Sequence, residues 1–160
     1  MRWEEIDAQV CSMARALAIL GDRWTLLIVR DVFRKVRRFS EFEKSLGITK
    51  HRLSDRLNRL VDNGVLKKVP YDESGNRFEY RLTRKGLELY PVLMSMALWG
   101  DKWEADQDGP PVTFTHATCG QETQPRYVCD CCHEPILATD IVPTAGPGII
   151  KKIQRGEIRA

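Results

Sequence analysis

The chain has 160 residues, of which 42% are apolar and 29% charged, and carries a formal charge of +3. That length fits one compact domain with an appendage, and the composition excludes a collagen, a coiled coil and a fully disordered chain. No run of 18 apolar residues occurs, which argues against a membrane-spanning helix, and the first ten residues, MRWEEIDAQV, lack the apolar core of a secretory signal. A cytoplasmic location with no membrane partner is therefore expected. The total charge hides an asymmetry. Residues 30–85 hold 16 basic and 8 acidic side chains, whereas residues 104–160 hold 5 and 8. A local excess of +8 suggests a polyanionic partner, although charge alone is more often a solvated face.

In chain order, apolar residues at Met13, Ala16, Leu17 and Leu20 follow helical spacing. Gly21 ends that helix and Asp22 is placed to cap the next, whose stripe is Trp24, Leu27, Ile28 and Val32. A basic cluster, Arg34, Lys35, Arg37 and Arg38, leads to Ser40, which with Glu43 matches a capping box for a short helix ended by Gly47. Thr49 then caps a helix with Leu53, Leu57, Leu60 and Val61 inward, closed by Asn63-Gly64. Two short helices joined by a Gly-containing turn form a helix-turn-helix. The period next changes to two. Val65–Tyr71 and Arg77–Leu82 read as strands of a hairpin, with Asp72–Asn76 as its turn. Thr83 caps a final long helix reaching about Ala105, which Pro91 must kink or interrupt.

Residues 106–111 (DQDGPP) read as a linker. The expected organisation is a winged helix-turn-helix and dimerisation domain over 1–105, this linker, and a Cys-rich tail over 112–160. The expected fold class is mainly α with a small β-hairpin, followed by a small β/loop, zinc-ribbon-like tail. The last residues read as a short arm or disordered, and no internal repeat is visible.

The helix from Thr49 keeps its leucines on one side. Its other side displays Lys50, His51, Arg52, Ser54, Asp55, Arg56, Asn58 and Arg59, types suited to base edges and phosphates in a major groove. Lys67, Lys68 and Arg77 on the hairpin, with Arg38 and Ser40 before it, are placed to meet the flanking backbone or minor groove. Helix, turn, helix and basic hairpin make a winged helix-turn-helix order, which favours DNA over a merely solvated surface.

In these segments the chain resembles the HxlR family. The resemblance is carried by CSMARAL (Cys11–Leu17), GDRWTLLIVR (Gly21–Arg30), RFSEF (Arg38–Phe42), LSDRLNRL (Leu53–Leu60), EYRLTRKG (Glu79–Gly86) and Trp99-Gly100, across about residues 11–103. It implies a bacterial transcription regulator, MarR-like in fold, that works as a homodimer on a two-fold operator. By position, the recognition helix spans 49–63 and the wing 66–81. The chain departs from the family in Gly21-Asp22-Arg23-Trp24, where Gly-Lys-Trp is usual, and in a wing tip without proline.

One recognition helix makes few base contacts, so pairing two subunits is expected on physical grounds as well. Trp3, Ile6, Val10, Trp99 and Trp103, in segment 1–12 and helix 84–105, are the candidate apolar contacts. Cys11 lies near a helix N-terminus, where the dipole favours thiolate. The resemblance includes regulators that sense oxidants, quinones or aldehydes through a cysteine near this point. An inert buried thiol is the plainer alternative. In the tail, His116-x2-Cys119 and Cys129-x2-Cys132 form two short-spaced pairs whose Cys3His set suits a structural, tetrahedral zinc ion, with Cys131 and His133 as spare candidates and free or redox-active thiols as the rival. No nucleophile elbow or phosphate loop supports an enzyme. The alternative function is a zinc-binding adaptor that docks on another protein.

Overall fold

The computed structural model describes residues 10–72, 75 and 77–158, in two compact units, one up to Met96 and one from Ala97. In the first unit, α1 spans Ser12–Leu20 and ends as expected at Gly21, whose N–H donates to the Leu17 carbonyl at 2.7 Å. Ala14 and Leu20 are buried, while Met13 and Leu17 on the same helix stay exposed.

Helix α2 runs Thr25–Phe33, with Ile28, Val29 and Val32 in the core. Asp22 does not occupy the cap itself. Its carboxylate accepts from the Trp24 N–H at 2.9 Å and secures the turn that leads into the helix. Asp31, 1% exposed, joins α2 to the next helix by accepting from Ser45 Oγ at 2.7 Å, and Arg30 Nε donates to it at 2.9 Å. A buried carboxylate needs such partners, because an unpaired one is strongly destabilising.

Helix α3, Phe39–Leu46, starts earlier than the Ser40–Glu43 box predicts. The cap position is Arg38, and Glu41 reaches back to accept from the N–H groups of Arg37 and Arg38 at 3.0 and 2.9 Å. Glu41 sits third in the helix, where its carboxylate reaches back to the N–H of the cap residue and of the residue before it. Gly47 terminates α3 in the left-handed conformation, φ +60°.

Helix α4, Lys50–Asp62, buries Leu53, Leu57 and Leu60 completely. Gly64 (φ +67°) closes it: the N–H groups of Gly64 and Val65 donate to the Val61 and Leu60 carbonyls, both at 2.9 Å, the paired pattern of a Schellman end.

Strands β1 (Leu66–Pro70) and β2 (Phe78–Leu82) pair antiparallel in the register Leu66↔Leu82, Lys68↔Tyr80 and Pro70↔Phe78. Tyr80 turns into the core against Phe42, ring centres 6.2 Å apart. The free edge of β2 is covered by a bridge from Arg38 to Glu79 and by the Tyr80 N–H donating to the Arg37 carbonyl at 2.8 Å. Thr83 ties the base of the hairpin to the helix that begins at Arg84. Its hydroxyl donates to the Gly64 carbonyl at 2.6 Å and accepts from the Gly86 N–H at 3.1 Å.

The predicted single helix after Thr83 is two helices, α5 (Arg84–Leu87) and α6 (Tyr90–Trp103). Pro91 explains the break: it has no N–H for the Leu87 carbonyl and its ring would clash there, so it is accommodated only in a new first turn.

In the second unit, β3 (Thr115–His116) pairs antiparallel with β4 (Gln121–Glu122), and Val128 bridges Pro135 in a second small hairpin. The chain end forms α7, Pro147–Gln154, with proline in its first turn, where the sequence suggests only an arm.

Gly86 is a position where the fold depends on a missing side chain. A Cβ there would lie 2.3 Å from the Val65 carbonyl oxygen and 2.9 Å from Leu82 Cδ2. Gly86→Ala should lower stability by about 1–3 kcal/mol in urea unfolding. Gly100→Ala, in α6 with open space around it, should raise stability by about 0.5–1 kcal/mol.

Candidate nucleic-acid interface

Burial of the α4 leucines fixes the rotation of the helix, so Lys50, His51, Arg52, Ser54, Asp55, Asn58 and Arg59 are all exposed, as is Thr49 at the cap. These side chains do not all have the same freedom. Lys50, His51, Arg52 and Ser54 make no side-chain hydrogen bond or ion pair to the described residues. Arg56, in contrast, is only 23% exposed and held. Its Nη2 donates to Asp22 Oδ2 at 2.9 Å, its Nε lies 2.9 Å from Asp22 Oδ1, and Asp55 sits against its Nη1. Arg59 donates to the Ala18 carbonyl at the end of α1. The pair Arg56 and Arg59 therefore anchors α4 to the α1–α2 corner, a role that the sequence could not show because Asp22 lies 34 positions away.

The hairpin stands beside the exposed face. Lys68 Nζ donates to Asn58 Oδ1 at 3.0 Å, which joins the wing to α4. Lys67 and Arg77 are exposed, with no partner for either side-chain cation among the described residues. Arg38 stacks over Tyr71, 4.5 Å from the ring centre, with Glu79 at 3.8 Å. Arg38, Ser40, Lys50 and Arg77 line one groove between the start of α3, the start of α4 and the wing. Arg38, Lys50 and Arg77 bring three cations to this lining against the one carboxylate of Glu43, a balance that suits a phosphate. The Glu41 carboxyl beside it is held below the usual carboxylate range by the N–H groups of Arg37 and Arg38.

Cys11 is the exposed cap residue of α1, extended in backbone and without a side-chain cap bond. In the second unit, His116 Nδ1 lies 3.3 Å from Cys119 Sγ. Cys129 is half-buried and its thiol is lowered by the N–H groups of Cys132 and Cys131, which point at the sulfur. Ligand atoms of Cys129, Asp130 and Cys131 lie within 4.8 Å of one another, a group that could hold a metal. The structure thus forms the His116–Cys119 pair. Among the described residues no such group joins that pair to Cys129 and Cys132. Asp130 is a candidate that the spacing argument overlooks.

Residues 19–108 match the model of the HxlR-like helix-turn-helix. The chain belongs to this family. It is 42% identical over 142 residues to an HTH-type transcriptional regulator of Mycobacterium tuberculosis, covering 89% of this chain and 90% of that protein. Among solved structures it is similar to PA1607, described as a candidate transcription factor, at 38% identity and TM-score 0.79 over 88% of this chain and 98% of that one. It is also similar to the reduced form of the redox regulator HypR, at 25% identity and TM-score 0.52 over 57% of this chain and 92% of that one. The chain is thus a transcriptional regulator with a DNA-binding, MarR-like winged fold, and its relatives are named as regulators and not as enzymes. Among the described residues no helix is long and apolar enough to cross a membrane.

Burial alone would raise the Asp22 carboxyl, but the hydrogen bond from Arg56 and the N–H of Trp24 outweigh it and hold it below the usual range. A carboxylate with a lowered folded value stabilises the fold above its unfolded value and loses that contribution as pH falls through the folded one. A double-mutant cycle with Asp22→Asn and Arg56→Gln should give a coupling of about 0.5–1 kcal/mol at neutral pH, allowing for partial solvent screening, that vanishes in strong acid.

Proposed function

We propose that the protein is a homodimeric, sequence-specific regulator of transcription that places α4 in the major groove of double-stranded DNA and rests its wing on the flanking backbone or minor groove. The observation that carries this reading is the division of α4: a leucine side wholly in the core and an exposed side of uncommitted Lys50, His51, Arg52 and Ser54. Within the expected contact set, Lys50, Arg52, Ser54 and Asn58 are the base readers. Arg38, Ser40, Thr49, Lys67, Lys68 and Arg77 are the backbone contacts, and His51 and Asp55 stand at the margin. Arg56 and Arg59 act by holding the helix.

Homodimerisation is supported by apolar surface that the single chain leaves open. Val92, Met96, Trp99 and Trp103 recur along one side of α6, with Trp99 60% and Trp103 63% exposed, and Met13 on α1 is 72% exposed. A second copy is the occupant that also doubles the base contacts. Val10 is half-buried, and the expected contacts Trp3 and Ile6 lie outside the described residues. In this reading the protein acts in the cytoplasm, its tail holds a structural zinc ion, and its signal is a small molecule or an oxidant. For the oxidant, an exposed Cys11 at the cap of α1 and the likeness to a redox regulator are the support.

Lys50→Ala and Arg52→Ala should each weaken operator binding by about 1–3 kcal/mol while leaving the unfolding midpoint unchanged. Lys67→Ala should weaken binding to every duplex alike and flatten the salt dependence by about one unit of slope. Fluorescence anisotropy at two salt concentrations checks both, and undiminished binding in the two α4 variants would overturn the assignment. Trp99→Glu should shift the protein from dimer to monomer in sedimentation.

A further inference from the structure

The second unit contains one hairpin twice, displaced by 13 residues, although the sequence shows no repeat. In residues 114–123 the Thr123 N–H donates to the Phe114 carbonyl at 2.7 Å, Thr115 faces Glu122, and the Gly120 N–H donates to the His116 carbonyl at 2.8 Å. In residues 127–136 the Ile136 N–H donates to the Tyr127 carbonyl at 3.0 Å, Val128 faces Pro135, and the His133 N–H donates to the Cys129 carbonyl at 2.9 Å. The turn closes in both copies on a left-handed residue, Gly120 at φ +69° and His133 at +61°. The copies share only a leading aromatic and the cysteine of the sixth position, too little for a sequence repeat to be seen.

Resting on the reading of a metal-holding tail, we propose that this duplicated turn is a two-knuckle zinc site whose ligands are His116 Nδ1 and the sulfurs of Cys119, Cys129 and Cys132, with Asp130, Cys131 and His133 outside it. Equivalence of the copies makes the selection. His116 and Cys129 occupy the third position, Cys119 and Cys132 the sixth. Asp130 and Cys131 correspond to Ala117 and Thr118, which offer no such ligand, so their closeness to the Cys129 sulfur belongs to one copy only. His133 corresponds to Gly120 and serves to turn the chain, although a left-handed conformation costs a non-glycine residue about 1–2 kcal/mol. The Nδ1 atom of His116 faces Cys119, so that nitrogen is the one directed at a shared ion. Three sulfurs and one imidazole make a closed tetrahedral shell that suits zinc, and binding releases the protons of the three thiols. The unit also needs such a centre: among its described residues no hydrophobic side chain is buried, while Tyr127, Leu137, Ile141 and Val142 are more than half exposed.

The test uses the full chain, purified with zinc and studied by native mass spectrometry, chelator competition and cobalt substitution. Wild type should carry about one zinc per chain and give the intense tetrahedral absorption with cobalt. Cys119→Ser and Cys132→Ser should each weaken zinc binding more than about 100-fold, whereas Cys131→Ser and His133→Gly should hold it within about threefold. Cys132→His, which keeps a donor at that position, should retain the metal and separates lost ligation from a lost fold. Loss of zinc in Cys131→Ser with retention in Cys132→Ser would overturn this shell and leave a metal-holding tail intact. A wild-type chain that takes up neither zinc nor cobalt would overturn the metal-holding tail itself.

Discussion

Leu53, Leu57 and Leu60, spaced by four and three residues, set the rotation of α4, and nearly everything functional depends on that rotation. Each such side chain contributes roughly 1.5–3 kcal/mol on burial, so the three together far outweigh any polar contact the helix makes. The half-buried Asp22–Arg56 pair adds on the order of 1 kcal/mol. Its larger effect is geometric, because it fixes the helix against the α1–α2 corner while the leucines hold it down. The exposed polar face is therefore a consequence of the core. Side chains with no partner of their own are left where a duplex can meet them.

The same division applies to charge. Residues 30–85 are strongly basic, yet several cations are already engaged: Arg30 with Asp31, Arg56 with Asp22 and Asp55, Arg81 with Glu79. Neutralised cations add little to a long-range field, whereas Lys50, Arg52, Lys67 and Arg77 keep theirs. They lie on α4 and on the wing, the two elements that meet DNA in a winged fold. Charge counting finds the region, and pairing separates its held cations from its free ones.

Much of this is legible in the sequence. Helices α2 and α4, the hairpin and the glycine ends at Gly21, Gly47 and Gly64 arise from period and turn chemistry, which act over a few residues. The start of α3 is misplaced from sequence because Arg38–Glu41 and Ser40–Glu43 both offer the three-residue spacing of a box, and only the backbone decides. The long helix after Thr83 is divided by Pro91, whose presence in the sequence does not say which of its two effects occurs. Arg56 reads as a DNA contact in the sequence because its partner is distant in the chain. Local geometry separates the expected DNA-binding residues into held ones, such as Arg56 and Arg59, and free ones, such as Lys50 and Arg52. Of the duplicated turn of the tail the sequence shows only the two short-spaced ligand pairs, since backbone bonds and handedness carry the rest and the side chains of the two copies differ.

The central claim is that two copies of α4 read one duplex. Selection of bound sequences from a random duplex pool at two salt concentrations tests it most directly. The account predicts enrichment of an inverted repeat with half-sites about one helical turn apart, and affinity that falls steeply with salt. Recovery of no common sequence, or of binding indifferent to salt, would contradict it.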